Sequence, residues 1–472
     1  MHAATRPFAW PHLTEPLAPD IELKVQSYLR GLLDWQRTLQ AWPTTPPSIA
    51  AMPVVTLYAG GRLCGCYGSV EGSLEERLPR AFLRAQHDPR FRSIDAGERE
   101  HLAVSVSYLA APQPLGLREI PNTLEPGTHG LAFVGRGNES ALLHPDVAVE
   151  YALDAAGMVT ALAHKAKRWN AQTRSADWRA DDAFYVFTTQ SVVARGKSLT
   201  RAADTSGLHQ AATLLESWID ADGQVAFSLD CRSGQRQAFG ALHHGRVAVG
   251  LGGLRRVLPH SAALKRGLQR LQLDIDVSLA GSPVVGWPTD ASEETATLAL
   301  AHLAGLEVAT PLQLLAANPA LAHSPWVSAQ VVTALGRTAP SALVTSVLEC
   351  RIQEWCPWLL QACVALGATE QLDARVSELL THVRDAAPYA GGVGAPVAEL
   401  ARTAATIEAL RAAPAGAHKD RAVERGLAFL RRWQLSCDQH VWLHPSAHGA
   451  FPVAPNRSLA QTDTLGHALA AF

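Results

Sequence analysis

The sequence of 472 residues lacks the features that mark three common classes of protein. Every apolar stretch is broken by Arg, Glu or Pro before it reaches the roughly 18 residues that a membrane helix needs. No stripe of basic residues is visible and the formal net charge is −2, so we expect neither a nucleic-acid nor a membrane partner. The start, Met1 to Trp10, shows no basic segment followed by an apolar core, so no secretory signal is predicted.

Cysteine is scarce as well. The chain has seven scattered cysteines, an odd number that fits a reducing compartment better than a disulfide framework, and we therefore expect a cytoplasmic protein. Hydrophobic residues make up 47% of the chain, which is enough for a proper core in each domain. The length suggests two or three domains.

Short strands and turns dominate the first part of the chain. The turn Ala59 to Arg62 joins two apolar stretches, 54–58 and 63–69, which predicts a β-hairpin. A helical period marks Ile21 to Leu39 and Ser73 to Ala85, with Ser73 as the predicted N-cap of the second helix. Further strands are predicted at 101–109, 130–134, 140–143 and 184–193, and a helix over 147–164 with a break near Gly157.

The second strand of the hairpin, Leu63 to Gly68, reads Leu-Cys-Gly-Cys-Tyr-Gly and resembles the Leu-Arg-Gly-Cys-Ile-Gly signature of the AMMECR family. The turn at 88–91 and the lysine-alanine sequence at 164–166 resemble the same family, and the resemblance covers roughly residues 20–190. It implies an α+β domain with a cleft beside the cysteine strand, in a family whose biochemical role is unsettled. Cys64 replaces the signature Arg, and Lys167 stands where the family prefers Gly.

Beyond a polar stretch at 195–204, which we interpret as a linker, nearly all of the chain is predicted to be helical. The predicted helices lie near 206–219, 238–256, 261–272, 292–305, 310–317, 325–336, 340–353, 356–367, 369–386, 396–412, 418–434 and 458–471. Consecutive helical pairs indicate a closed ring or an open solenoid. Gly-then-Phe segments at 222–228 and 449–453 favour the ring, which resembles the (α/α)6 toroid of terpene cyclases, prenyltransferase β-subunits and sugar epimerases.

We therefore expect a multidomain protein, with an AMMECR-like α+β domain at 1–195 and an all-α, toroid-like domain at 196–472. Cys66 is the first candidate for catalysis, because a thiolate in a cleft is a nucleophile. His101 and His144 are the candidate bases, although the sequence does not place them beside it. Cys64 lies two residues from Cys66 and therefore on the same side of an extended strand, and we expect it to line the cavity with Tyr67. The two thiols could also form a redox couple or bind a soft metal. The alternative is that Cys66 is a small buried apolar residue.

A second set of candidates belongs to the mouth of the toroid. These residues lie at helix starts or in the Gly-Phe segments, where they would surround a cavity: Asp230, His243, His244, Asp463 and His467. Asp463 and His467 are one helical turn apart, so an ordinary helix pair is the alternative for them. The tryptophans of the second half would either line the cavity or pack between helices. They are Trp218, Trp287, Trp326, Trp355, Trp358, Trp433 and Trp442.

No cofactor is identified by the sequence, and no metal site is predicted. Cys437, His440, His444 and His448 could bind zinc if they shared a helix face, but Pro445 interrupts the run and favours a polar loop. A toroid fused to a domain with a cysteine-containing cleft indicates an enzyme, or a component of one, that modifies a small molecule or peptide in that cleft. The alternative is a non-catalytic binding or scaffold protein for a metabolite, a peptide or a partner enzyme.

Overall fold

The computed structural model describes residues 7–137, 139–196, 207–350, 355–385, 389–394, 397–437 and 439–472. Residues 7–196 form an α+β region, and residues from 207 onward form a mostly helical region, as the sequence predicts. Most of the predicted linker at 195–204 lies outside the described residues. No helix of the described residues is both long enough and apolar enough to cross a bilayer.

The elements of the α+β region are α1 (Pro19–Thr38), β1 (Pro53–Ala59), β2 (Arg62–Gly68), α2 (Leu74–Gln86), β3 (Leu102–Leu115), α3 (Ile120–Thr123), β4 (Gly130–Val134), β5 (Ser140–Leu143), α4 (Asp146–Glu150), α5 (Ala155–Lys165), β6 (Trp169–Asn170), β7 (Ser175–Ala176) and β8 (Ala183–Arg195). Six of the strands form one sheet in the order β2-β1-β3-β8-β4-β5, in which every neighbouring pair is antiparallel.

Local sequence explains most of these boundaries. Gly60 and Gly61 have φ values of 54° and 79°, which suits the tight turn of the predicted hairpin. Ser73 begins α2 in a capping box with Glu76, and this confirms the predicted N-cap. The helix predicted over 147–164 breaks before Asp154, which accepts a hydrogen bond from the backbone N–H of Gly157 at 2.8 Å. The break therefore precedes the predicted position, because an N-cap rather than the glycine sets it.

One departure from the family signature has a conformational consequence. Lys167 has a φ of 56°, in the left-handed region that glycine adopts at low cost. This backbone conformation accounts for the preference of the AMMECR signature for Gly at the same position.

The helical region follows the predicted pattern closely. Its elements are α6 (Gly207–Ser217), β9 (Ser228–Asp230), β10 (Arg236–Gln237), α7 (His243–Val257), α8 (Ala262–Leu279), α9 (Ala291–Leu303), α10 (Ala309–Ala316), α11 (Pro325–Leu335), α12 (Ser341–Glu349), α13 (Pro357–Leu366), α14 (Thr369–Leu380), α15 (Leu400–Ala412), α16 (Ala417–Trp433), β11 (Leu459–Gln461) and α17 (Thr462–Ala471). Helix α17 begins later than predicted because β11 occupies Leu459–Gln461, and α7 begins later because an irregular stretch at 238–242 follows β10. Strands β10, β9 and β11 form a small sheet in that order.

The odd-numbered helices of this region pack against one another. Helix α7 contacts α9 and α17, α11 contacts α9 and α13, and α15 contacts α13 and α17. The even-numbered helices pack against these neighbours. Glycine permits the close approach of α7 and α17, because a Cβ atom at Gly253 would lie 2.2 Å from the carbonyl oxygen of Gly466.

The two regions contact each other through several charged side chains. Arg195, at the end of β8, donates hydrogen bonds to the backbone carbonyls of His440 and Leu443, each at 2.9 Å. Arg232 forms an ion pair with Glu150 of α4 at 2.9 Å. The helical region is thus held against the hairpin side of the sheet.

Candidate functional site

A β-bulge interrupts the cysteine strand. The pairing of β1 with β2 shifts register between Leu57 and Tyr58, opposite Cys64. Cys64 is 2% exposed and belongs to the core formed with α1 and α2, whereas Cys66 packs with Val54 in a different cluster. The prediction that Cys64 and Cys66 share one side of the strand is therefore wrong, because the bulge adds a residue and breaks the alternation of side chains.

The glycine between the two cysteines has a packing role. A Cβ atom at Gly65 would lie 1.8 Å from the backbone carbonyl oxygen of Ala85 in α2. The strand and the helix can approach this closely only because no side chain intervenes. The close approach of the α2 backbone thus explains why a glycine stands at position 65.

Cys66 is half-buried, and its surroundings favour the neutral thiol. Burial raises the pKa of the Cys66 thiol, and the hydrogen bond from Thr56 and the charges of Lys165 and Arg90 only partly oppose this effect. The Thr56 hydroxyl donates to the Cys66 sulfur at 3.6 Å. Because the thiolate is the reactive form, this environment does not activate Cys66. Its role as a nucleophile stays a prediction.

The structure does not bring the two candidate bases to Cys66. His101 lines a cavity of about 750 Å³ between the hairpin turn and the loop that carries His444. His144 is buried, with Nδ1 3.4 Å from a carboxylate oxygen of Asp146. Tyr67 is half-buried beneath the guanidinium of Arg84, which lies 5.7 Å from its ring centroid.

The possible zinc ligands lie in an irregular segment. The backbone N–H of one of them, Cys437, donates a hydrogen bond to Nδ1 of another, His448, at 3.2 Å. Nδ1 of His444 bonds instead to the hydroxyl of Ser446 at 2.7 Å. Within the described residues, which leave out Asp438, no group of three or more His, Cys, Asp or Glu side chains could hold a metal ion.

Two of the residues predicted at the toroid mouth occupy a separate pocket. His243 and His244 line a cavity of about 400 Å³ between α7 and α8. Burial lowers the pKa of His243 to about 4. Nδ1 of His244 lies 3.0 Å from the carbonyl oxygen of Gly286, and its Nε2 lies 3.5 Å from Asp274.

Asp230 and Asp463 also lie apart from each other. Asp230 holds a turn by accepting hydrogen bonds from the N–H of Arg232 at 3.0 Å and from the hydroxyl of Ser233 at 2.8 Å. Asp463 lies 3.4 Å from Arg246 at a cavity of about 600 Å³ between the two regions. The predicted substrate-cavity residues are thus divided among different places, and His467 faces yet another cavity.

The cavity at His467 lies among the helices of the second region. It has a volume of about 710 Å³, and all six odd-numbered helices from α7 to α17 contribute to its wall. Most of the wall consists of Gly, Ala, Val and Leu, and the polar side chains in it are few. Such a composition is typical of sites for small organic molecules, in which a few polar groups orient the ligand.

Two of those polar side chains form a dyad. Nδ1 of His467 lies 3.0 Å from Glu408, whose other oxygen accepts a hydrogen bond from Arg256 at 2.8 Å. Burial raises the pKa of Glu408, but the hydrogen bond from His467 and the charge of Arg256 outweigh it, so the net pKa of Glu408 is lowered. No described residue bonds to Nε2 of His467. The ring of Trp358 also faces the cavity, 6.2 Å from the His467 ring centroid.

The sequence analysis named His467 as a candidate and included Trp358 among seven tryptophans, but it did not name Glu408. The available signal was an acidic residue within a run of buried positions in α15, between Ile407 and Ala409. A carboxylate so placed needs a partner, since a buried unpaired charge is costly.

Residues 35–192 match the AMMECR1 family model. This segment is an AMMECR1 domain. A protein of Methanosarcina mazei is 37% identical over 105 residues, which cover 21% of this chain and 52% of that protein. A protein of Thermoplasma acidophilum is 33% identical over 120 residues, or 24% of this chain and 58% of its own. The chain spans about half the length of the curated relatives it matches.

Two solved structures are similar to parts of this chain. An uncharacterized protein of Pyrococcus horikoshii is 24% identical, with a TM-score of 0.30, and the match covers 38% of this chain and 93% of that one. A possible member of the GH105 family from Salmonella enterica is 12% identical, with a TM-score of 0.32, and the match covers 58% of this chain and 96% of that one.

Proposed function

We propose that the protein is an enzyme that acts on a small organic molecule in the cavity lined by α7, α9, α11, α13, α15 and α17. His467 is the proposed catalytic base, and Glu408 is the residue that positions it. A carboxylate on one ring nitrogen favours the tautomer that carries the proton there and leaves the other nitrogen able to accept one. The substrate would therefore lose a proton to Nε2 of His467.

The observation that carries this proposal is the pairing of Glu408 with His467 at a wall shared by six helices. The lowered pKa of Glu408 keeps the carboxylate ionised, which stabilises the orientation of the ring. Cys66 is a weaker candidate for the same role, because burial raises its pKa. A small molecule is favoured over a peptide because the cavity has a volume of about 710 Å³ and six helices contribute to its wall.

We further propose that the chain consists of an α+β domain at 1–195 and a toroid at 196–472. The order of helix contacts supports the toroid, because α17, the last odd-numbered helix, packs against α7, the first. In an open superhelix the first and last pairs would lie far apart. The hydrophobic clusters support the domain division, since one cluster holds most of the helical core and three others belong to the sheet.

Binding without catalysis is the second candidate function. Glu408 already pairs with two nitrogen-bearing side chains, so it is unsuited to donate a proton. A reaction that needs an acid as well as a base would require the substrate to supply that acid. A metabolite-binding protein needs only the cavity and its few polar groups.

The test is to incubate the purified protein with a metabolite extract, wash it, and identify the retained compounds by mass spectrometry. Gly252→Trp serves as the blocked variant, because a Cβ at Gly252 has no neighbour closer than 3.7 Å and a larger side chain would fill the cavity. We expect wild-type protein to retain a compound that Gly252→Trp does not. Equal retention by both, with both shown to be folded by circular dichroism, would contradict the proposal.

Catalysis is separated from binding by a second pair of variants. His467→Gln should bind the retained compound but fail to convert it. Glu408→Gln should convert it slowly and with a shifted pH profile, since the positioning carboxylate is lost. If wild-type protein binds the compound without changing it, the binding function is the correct one.

A further inference from the structure

We infer that the ligand of this cavity is an organic anion whose negative group pairs with Arg411. The inference rests on the proposed function, because it concerns the same cavity. The inference adds the chemical class of the ligand, an acid with an apolar body. This acid would bind with its charged group at the rim of the cavity and its reactive part toward His467.

The first step is the balance of charge in the wall. The ionised side chains that line the cavity, with His467 left aside, are Arg256, Arg411 and Glu408. Arg256 is matched by Glu408 at 2.8 Å. Counted over the side chains, one positive charge is therefore left without a negative partner, at Arg411.

The second step concerns the partners of Arg411. Its described hydrogen bond goes to the backbone carbonyl of Ala471, near the end of α17. No carboxylate of the described residues forms an ion pair with it. One carbonyl occupies a single donor of a guanidinium that has five, and the side chain is exposed to solvent at the cavity. The remaining donors suit a carboxylate, which a guanidinium can bind with two parallel hydrogen bonds.

A further cation reinforces this rim. The guanidinium of Arg431 lies 5.3 Å from the ring of Phe472, and Phe472 lines the cavity. No described carboxylate forms an ion pair with Arg431. Two arginines without acidic partners thus lie near one mouth, and their field would attract anions.

The third step gives the character of the rest of the ligand. The inner wall is formed largely by small and aliphatic side chains, including Val249, Leu300 and Ala304, with Trp358 as an aromatic surface. A molecule with an apolar or ring-shaped body would bury that body here, whereas a molecule charged at both ends would leave one charge unpaired.

The experiment uses isothermal titration calorimetry to compare two probes of nearly the same size, the anion 4-phenylbutyrate and the neutral amide 4-phenylbutyramide. The wild-type protein should bind the carboxylate about tenfold more tightly than the amide, as expected for a charge-assisted hydrogen bond. Arg411→Gln should remove that preference. The matched control is Arg266→Gln, which also removes an exposed arginine whose described hydrogen bond goes to a backbone carbonyl, and it should keep the preference.

The outcomes separate this inference from the proposed function. Equal binding of both probes, abolished in both cases by Gly252→Trp, would overturn the anion inference and leave the cavity as the site. Binding of neither probe, or binding that Gly252→Trp does not affect, would contradict the cavity itself. As a check that does not depend on a variant, the preference of the wild-type protein for the carboxylate should weaken as salt is raised from 0.05 to 0.5 M, because exposed charges are screened.

Discussion

The two regions of this protein use their polar residues in opposite ways. In the α+β region, charged side chains close to the cysteine strand pair with one another, such as Arg62 with Glu98 at 2.7 Å and Arg90 with Asp88 at 2.6 Å. In the helical region, the pair of His467 and Glu408 faces an open cavity. A recognisable signature can therefore mark packing, while the proposed catalytic pair lies in the part of the chain without a signature.

Glycine shows the same contrast. In the signature, Gly65 lets a helix backbone approach a strand, and in the helical region Gly253 lets two helices approach each other. Gly252, the neighbour of Gly253, faces the cavity and has space around it. Substitutions at these glycines therefore test whether the two regions differ as described.

The largest effect is expected from Gly65→Ala. Its methyl group would lie 1.8 Å from the Ala85 carbonyl oxygen, so the strand or α2 must move, and we expect a loss of roughly 3–5 kcal/mol in the free energy of unfolding. Gly97→Ala is the control, since a Cβ there has no neighbour within 4 Å. Urea unfolding of both variants measures the difference. A Gly65→Ala variant as stable as wild type would show that the signature glycine is not required by packing.

The second largest effect is expected at the contact between α7 and α17, which would close the ring of the proposed toroid. Gly253→Ala places a methyl group against the backbone of Gly466, and we expect a loss of roughly 2–3 kcal/mol in the free energy of unfolding. Gly252→Ala, one residue away, should instead stabilise the helix by about 0.5–1 kcal/mol. Thermal unfolding followed by circular dichroism would separate the two. Similar behaviour of both variants would contradict the contact between α7 and α17.

A smaller effect should appear as a dependence of stability on pH. Burial, followed by the charge of His244, lowers the pKa of His243 from 6.5 to about 4, while Asp274 opposes the shift. The unfolded chain takes up this proton near pH 6.5, so the stability contributed by His243 is complete above that pH and is lost as pH falls toward 4. His243→Phe should reduce the loss of stability between pH 6.5 and pH 4. If the variant and the wild-type protein lost the same stability over this pH range, the pKa of His243 would not be lowered in the folded state.

The smallest effect is expected at Cys66. Because burial raises its pKa, iodoacetamide at pH 7.5 should alkylate Cys66 about tenfold more slowly in the native protein than in urea. Peptide mass spectrometry would give both rates. Faster alkylation in the native protein would show that the Cys66 thiol is activated. It would then be the better candidate for the catalytic group, and the proposed active site would lie in the α+β region.

Much of the fold could be predicted because its signals are local. The turn glycines, the Ser73 cap and the helical periods beyond residue 206 are each contained in a few neighbouring residues. The bulge at Cys64 could not be predicted, since it depends on how β2 meets a separate strand. The sheet of β9, β10 and β11 joins segments of only two or three residues from distant parts of the chain.

Only part of the candidate site could be predicted from the sequence, because the rest depends on contacts between distant segments. His467 and Glu408 are 59 residues apart, and helical periodicity does not show that α15 and α17 are neighbours. His243 and His244 lie in helix α7, which also lines the main cavity, but they face a different pocket at its start. Which face of a helix meets which neighbour is settled by packing, and that information is not local.

The location of the ligand site is decided by hydrogen exchange followed by mass spectrometry, with and without the compound retained from the extract. We expect slower exchange on binding at 252–257, 408–412 and 466–471, and no change at 62–68. Slower exchange at 62–68 without any change in the three helical segments would place the ligand at the cysteine strand and contradict the proposed site.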